Sequence, residues 1–203
     1  MKKNKVSKEW INRQSRDIYV KASKIHGYRS RSAYKLIEIN EKINLLHNNN
    51  LFLDLGAAPG GWSQVASEKI KKGKILSVDV KDIDPIDNVT FLKGDFVEEN
   101  IQKRIMNFFP RKIDAVASDM SINTTGNKNI DSLKNGELCL IALDFSKKIL
   151  KNNGFFISKI FMGSIFGEIH DYTKKLFKKV TVFKPQSSRK ESREVYIICR
   201  HLK

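Results

Sequence analysis

Cysteine is nearly missing from this chain. Cys139 and Cys199 stand far apart, with no Cys-x-x-Cys pair and no neighbouring histidine pair. That excludes a disulfide framework and a thiolate metal centre, and both residues read as reduced core positions inside the cell. The four histidines are scattered, so no metal site is expected. No apolar run approaches the ~20 residues that cross a bilayer, and no secretory signal core is visible. Acidic residues are also scarce: 22 Asp and Glu face 38 Lys and Arg, for a formal net charge of +16. A balance this basic points to a polyanionic partner, nucleic acid ahead of an acidic membrane surface. The alternative is a merely solvated, Lys-rich surface.

What is present supports a folded protein. Hydrophobic residues make up 40% of the 203 residues, enough for one full-sized core. Residues 1–29 are polar and basic and read as an arm or short helix. Residues 30–203 read as a single domain, expected to be a monomer. The start, Met1-Lys2-Lys3-Asn4-Lys5, suits a flexible basic arm or the stub of an organelle presequence. A mitochondrion or other organelle is therefore expected in a eukaryote, and the cytoplasm otherwise.

From Ser32 a helix is predicted, with Ala33, Leu36, Ile37 and Ile43 at helical spacing. Short apolar runs then alternate with helical patterns. Strands are predicted at Leu51–Leu53, Ile75–Val78, Val89–Leu92, Ile113–Ala117, Phe155–Ile157, Val180–Phe183 and Val195–Ile198. Helices are predicted at Trp62–Ile70, Ile101–Phe109, Leu133–Leu150 and Ile165–Phe177. This alternation predicts an α/β fold: a mostly parallel seven-stranded sheet with helices on both faces. Only a loop joins the last two strands, so that pair should be antiparallel. Ligands in such sheets bind beyond the carboxyl ends of the strands. The polar residues there are Asp54, Asp79, Asp95, Asp119 and Lys159.

The segment Asp54-Leu55-Gly56-Ala57-Ala58-Pro59-Gly60-Gly61-Trp62 follows a strand and opens a helix. Its glycines permit close backbone approach to a ligand. Gly56 and Gly60 lack the spacing of a dinucleotide fingerprint, and no Lys-Ser/Thr pair completes a phosphate loop. A glycine turn flanked by acids suits a cationic ligand bearing ribose hydroxyls. Asp79 can accept from a ribose, and Asp95 from an adenine amino group.

At this point the chain resembles the FtsJ/RrmJ family of ribose 2′-O-methyltransferases. The string from Asp54 to Gln64 is similar to that family's cofactor motif. Arg29-Ser-Arg-Ser-Ala-Tyr-Lys35 resembles its first catalytic motif. Gly94-Asp95-Phe96, Ser118-Asp119-Met120, Ser158-Lys159-Ile160-Phe161 and Ser188 through Tyr196 resemble its later ones. The resemblance covers nearly the whole chain and implies a Rossmann-like methyltransferase domain. It implies S-adenosyl-L-methionine as cofactor, held by Gly56, Gly60, Gly61, Trp62, Asp79, Asp95 and Asp119. It implies 2′-O-methylation of RNA, with a uridine of large-subunit ribosomal RNA within a ribosomal particle as acceptor. One departure concerns the substrate side: the family reads Ser-Asp-Met-Ala-Pro-Asn where this chain has Ser118-Asp119-Met120-Ser121-Ile122-Asn123. Without the proline, a looser loop is expected after the fourth strand.

The resemblance also implies a catalytic Lys-Asp-Lys-Glu tetrad: Lys35, Asp119, Lys159 and Glu194. Methyl transfer to a 2′-hydroxyl needs a proton acceptor and alignment of the attacking oxygen with the methyl carbon. A free lysine titrates near ~10.4 and serves as a base only where its charged form is disfavoured. Burial and a second cation disfavour that form, whereas a carboxylate favours it. In one hypothesis Lys159 takes the proton, Asp119 orients it, and Lys35 and Glu194 position the ribose. In the other, Lys159 stays charged and steers the hydroxyl's lone pair.

Arg29, Arg31, Lys35, Lys184, Arg189, Lys190 and Arg193 are candidates for a basic rim that holds RNA phosphates. Tyr28, Tyr34, Phe161 and Tyr196 are candidates for base stacking. A tRNA anticodon-loop 2′-O-methyltransferase is the near rival, because Asp17 through Arg29 is reminiscent of those relatives. A non-catalytic RNA-binding protein and a nicotinamide-dependent dehydrogenase are the more distant alternatives.

Overall fold

The computed structural model describes residues 17–122 and 125–203. Residues 1–16, which include most of the expected basic arm, lie outside the described residues. So do Asn123 and Thr124, in the loop that the missing proline concerns. Among the described residues no helix is long and apolar enough to cross a membrane.

The elements run α1 (Ile18–Ile25), α2 (Ala33–Ile43), β1 (Leu51–Leu55), α3 (Gly61–Lys69), β2 (Lys74–Asp79), β3 (Val89–Lys93), α4 (Glu99–Phe108), β4 (Ile113–Ser118), α5 (Lys128–Ile149), β5 (Leu150–Phe161), α6 (Phe166–Leu176), β6 (Phe177–Phe183) and β7 (Glu194–Leu202). Seven strands form one sheet in the order β3-β2-β1-β4-β5-β7-β6. The pairs from β3 across to β5 are parallel, and β7 is antiparallel to both its neighbours. The expected α/β architecture is therefore present.

Each face of the sheet has its own core. On one side α2 and α3 pack Leu36, Ile39, Trp62 and Val65 over Phe52, Ile157 and Ile198. On the other, α4, α5 and α6 cover Leu53, Val116, Phe156 and Ile197. The central strands are buried on both sides, so β1 is apolar almost throughout rather than alternating.

Two boundaries differ from the sequence pattern for local reasons. Helix α5 begins at Lys128, not Leu133, because the Asn127 side chain caps it by accepting from the N–H groups of Asn129 and Ile130. Its polar first turn carries little apolar periodicity to read. Strand β5 begins at Leu150, and an irregularity separates its pairing at Leu150 from its regular pairing at Phe155.

Asp54 is the one polar side chain of β1, and it is fully buried. The Ser63 hydroxyl of α3 donates to its Oδ2 at 2.6 Å and also meets Ser77 of β2. Its Oδ1 has no hydrogen-bond partner among the described residues. Burial pushes the Asp54 carboxyl up to about 7; the Ser63 bond opposes the rise, and Asp119 and Asp79 add to it. In an unfolded chain an aspartate titrates near ~3.9. The folded state therefore holds a proton that the unfolded state releases. The stability this site supplies is complete below about pH 4 and is lost as the pH rises through about 7, a swing on the order of 4 kcal/mol. Asp54→Asn removes the titration. Relative to the native chain, its melting temperature should climb from about pH 5 to about pH 8, as followed by circular dichroism. A constant difference between the two proteins over that interval would show that Asp54 keeps one protonation state.

Candidate active site

The carboxyl ends of β1, β2 and β4 open onto a cavity of about 490 Å³. Its walls include Gly56, Asp79, Asp95, Phe96, Asp119 and Met120, together with Ser121 and Ile122. The turn after β1 can come this close to the β4–α5 loop only through glycine. At Gly56 φ is +78°, and a Cβ there would stand 2.7 Å from the Met120 backbone. Asp79 ends β2 and accepts from the N–H groups of Ala58 and Lys81. Asp95 accepts from Val97 N. Val80 and Val97 leave apolar surface exposed in the cavity wall, 56% and 45% respectively.

Gly60, Gly61 and Trp62 do not line this cavity. A Cβ on Gly61 would fall 2.4 Å from Ser30 Oγ, and one on Gly60 2.9 Å from Ile86. These two glycines let the β1–α3 turn pack against the α2 entry and the β2–β3 loop. Trp62 is buried, donates its indole N–H to Ser32 O, and packs on Tyr196 with ring centroids 5.6 Å apart.

The four tetrad residues come together beside the cavity. Antiparallel pairing sets Lys159 of β5 opposite Tyr196 of β7, and Phe161 opposite Glu194. Residues two apart on a strand share a face, so Glu194 joins Lys159 and Tyr196 on the α2 side. Lys35, in the first turn of α2, reaches Glu194 Oε1 at 2.5 Å. Lys159 Nζ lies 3.2 Å from Asp119 Oδ1 and donates to the Asp119 carbonyl oxygen at 2.7 Å. The Tyr196 hydroxyl donates to the same Oδ1 at 2.7 Å. Asp119 itself is tied to β1 through its N–H, which donates to Leu55 O.

Electrostatics fix two of these protonation states. Burial alone would raise the Asp119 carboxyl, but the Lys159 and Lys35 cations and the Tyr196 hydrogen bond outweigh it and hold the group below the usual carboxylate range. Burial, then the Asp119 and Glu194 charges, push the Tyr196 phenol well above its ordinary value. At neutral pH the pair is a carboxylate and a neutral phenol.

The structure redistributes the basic rim. Arg29 turns inward: its guanidinium donates to Asp84 O at 2.5 Å and Pro85 O at 2.6 Å, bracing the β2–β3 loop. Arg31 and Arg189 both pair with Asp17, which also caps α1. Together they border a cleft of about 300 Å³ next to Lys35 and Glu194. Lys184 donates to Ser192 O and so closes the β6–β7 loop. Among the stacking candidates, Tyr196 is fully buried and out of reach of a base. Tyr28 and Tyr34 sit edge to face at 5.7 Å in a half-buried aromatic group.

Two participants were not among the expected catalytic or cofactor-binding residues. Tyr196 as donor to Asp119 was accessible from strand period, since it lies two residues beyond Glu194. Asp17 carried only the signal of an acid before a helix start, and nothing in the sequence connects it to Arg189.

The FtsJ-like methyltransferase family profile matches residues 28–202. A Pelagibacter ubique protein named ribosomal RNA large subunit methyltransferase E is 53% identical over 203 residues, covering 100% of both chains. A Rickettsia akari protein of the same name is 48% identical, over 97% of this chain and 90% of its own length. Among solved structures, a Plasmodium falciparum protein described as a ribosomal RNA methyltransferase superposes with a TM-score of 0.77 at 35% identity, covering 86% of this chain and 98% of that one. A Streptococcus mutans protein in complex with SAH, 14% identical with a TM-score of 0.53, shares the fold. With the profile spanning nearly all of the domain and these relatives matching from end to end, the chain belongs to the FtsJ-like methyltransferase family.

Proposed function

We propose that this chain transfers a methyl group from S-adenosylmethionine to a ribose 2′-hydroxyl, that of a uridine in large-subunit ribosomal RNA. The observation that carries the reading is the Lys159–Asp119–Tyr196 cluster, set beside Lys35–Glu194 at the rim of an acid-lined cavity. The names of the Pelagibacter and Rickettsia relatives support the large subunit as substrate. Ribosomal RNA as acceptor places the reaction inside the cell.

The cavity suits the cofactor. Gly56 leaves space that a side chain would fill, and Asp79 and Asp95 offer free lone pairs to ribose hydroxyls and an adenine amino group. Exposed Val80 and Val97 supply flat apolar surface for the adenine ring. Acidic walls favour a cationic ligand. When bound, S-adenosylmethionine supplies an electrophilic methyl carbon at this edge of the sheet.

The protein's own part is proton handling and alignment. Lys159 donates twice to Asp119, once to its carbonyl and once to its carboxylate. A neutral amine keeps both of those N–H bonds and has one lone pair left over. Loss of the lysine proton thus costs no hydrogen bond, and the lone pair is open to the 2′-hydroxyl. After the hydroxyl proton moves to Nζ, the new ammonium is paired with the Asp119 carboxylate. Lys35 and Glu194 neutralise each other and mark where the ribose sits. Arg31 and Arg189, anchored by Asp17, form the adjoining phosphate contact. The domain division we propose is the expected one: residues 30–203 carry the chemistry, and the segment before them adds Asp17. Methylation at one residue of a folded particle needs no second copy, so we propose a monomer.

Lys159→Arg retains the charge and cannot act as a base. Methyl transfer to large ribosomal subunits should fall by roughly 10²–10⁴-fold, while binding of S-adenosylmethionine stays near the native value. Activity within tenfold of native in the Arg variant would assign Lys159 a steering role instead. The substrate is tested by supplying tritiated S-adenosylmethionine with large ribosomal subunits or with free tRNA. Label should enter ribosomal RNA at a ribose 2′-position, resistant to alkaline cleavage; label confined to tRNA would move the enzyme to its anticodon-loop relatives.

A further inference from the structure

Cross-strand pairing places two rows of side chains on the α2 face of the sheet. One row holds Lys159, Tyr196 and Phe183; the other, four residues further from the catalytic edge, holds Phe155, Arg200 and Lys179. At ~3.3 Å per residue the rows stand ~13 Å apart. The second row and the C-terminal turn of α2 enclose a cleft of about 300 Å³.

Its chemistry is unlike that of the cofactor cavity. The Arg200 guanidinium lies 4.7 Å over the Phe155 ring, and its Nε is buried without a hydrogen-bond partner among the described residues. Lys42, on the last turn of α2, stands 5.0 Å from the Phe183 ring centroid. Lys179 completes three cations, and Glu41 is the one acid in the lining among the described residues. On the same face, Lys35 and Lys159 each hold a carboxylate. Among the described residues no acid pairs with Lys42, Lys179 or Arg200.

We infer that this cleft is a second RNA-binding site, taking a backbone phosphate outside the catalytic centre. The inference rests on RNA being the substrate. A guanidinium stacked on an aromatic ring is already oriented, is weakly hydrated, and matches phosphate geometry. Two lysines at the cleft mouth add charge without competing for the same donors. Because α2 covers Ile157 and Ile198 between the two rows, an RNA strand leaving the active site would pass over α2 and the β6 edge to reach the cleft. Contacts of this kind set register rather than sequence.

The test is the double variant Lys179→Gln/Arg200→Gln in methyl transfer to large ribosomal subunits at saturating S-adenosylmethionine. KM for the subunits should rise about tenfold with kcat within about twofold, and the slope of log affinity against log salt should fall by about 1 for each phosphate no longer held. An unchanged KM and slope in a variant with the native melting curve would overturn the inference. If Arg200→Gln prevents folding, Lys42→Gln/Lys179→Gln alters only exposed side chains, and the same two outcomes apply to it. Should the native enzyme methylate no RNA at all, the proposed function fails, and the cleft is then probed by filter binding of a single-stranded RNA oligonucleotide. Weaker binding by the variant sustains the cleft as an RNA site, and equal binding removes it.

Discussion

A partly buried carboxylate organises this molecule. Removing an isolated charge from water costs several kcal/mol unless partners replace the solvent. Asp119 meets that demand with Lys159 and Tyr196, with the charge of Lys35 close by. Those partners come from β5, β7 and α2, so the charge removed from water is compensated only when all three elements are docked. Its own N–H is committed to β1. Four elements therefore converge on one charge, and the geometry that a proton transfer requires is the same geometry that makes the charge tolerable. Losing either hydrogen-bonding partner would leave a desolvated charge behind, a larger penalty than the missing bond alone.

Strand reversal makes the convergence possible. In a fully parallel sheet only the carboxyl ends of strands reach the ligand edge, and each strand contributes the residues just past its end. Because β7 runs antiparallel, it brings its first residues to that edge. Glu194 and Tyr196 thus stand beside Lys159 at the far end of β5. The β6–β7 loop arrives at the same edge, where Glu38 of α2 accepts from the N–H groups of Gln186 and Ser187. Arg189 on that loop is then carried to Asp17 and Arg31. One topological feature accounts for Glu194 of the tetrad, for Tyr196 and for Arg189 of the adjoining pair of arginines.

Much of this was legible in the sequence, and the parts that were not have identifiable physical causes. Element order follows from period and turn chemistry, which are local. The glycine turn and the acids after each strand could be read because their positions relative to a strand end decide their use. Trp62 shows the limit. It lies inside the cofactor motif, yet its ring is directed into the α2 interface, and motif membership cannot report the direction of a side chain. Arg29 shows the same limit for charge: a guanidinium counted in a basic rim is consumed by two backbone carbonyls 55 and 56 residues away. The Asp17–Arg189 pair, separated by 172 residues, depends wholly on tertiary docking.

The charge distribution carries the same division of labour. A formal charge of +16 would repel a sulfonium if it were spread evenly over the surface. It is not spread evenly. Asp79, Asp95 and Asp119 border the cavity at the ends of β2, β3 and β4, and Lys81 is the only cation in its wall among the described residues. The α2 side instead presents Lys35, Arg31 and Arg189, with Lys42, Lys179 and Arg200 further along the same face. Asp119 lies on the boundary between the two fields. A cation is drawn to the acidic side and a polyanion to the basic side, and where they meet beside Asp119 each lowers the cost of bringing in its counterpart. The two substrates should therefore bind with positive coupling, because each supplies the charge that the other's pocket excludes.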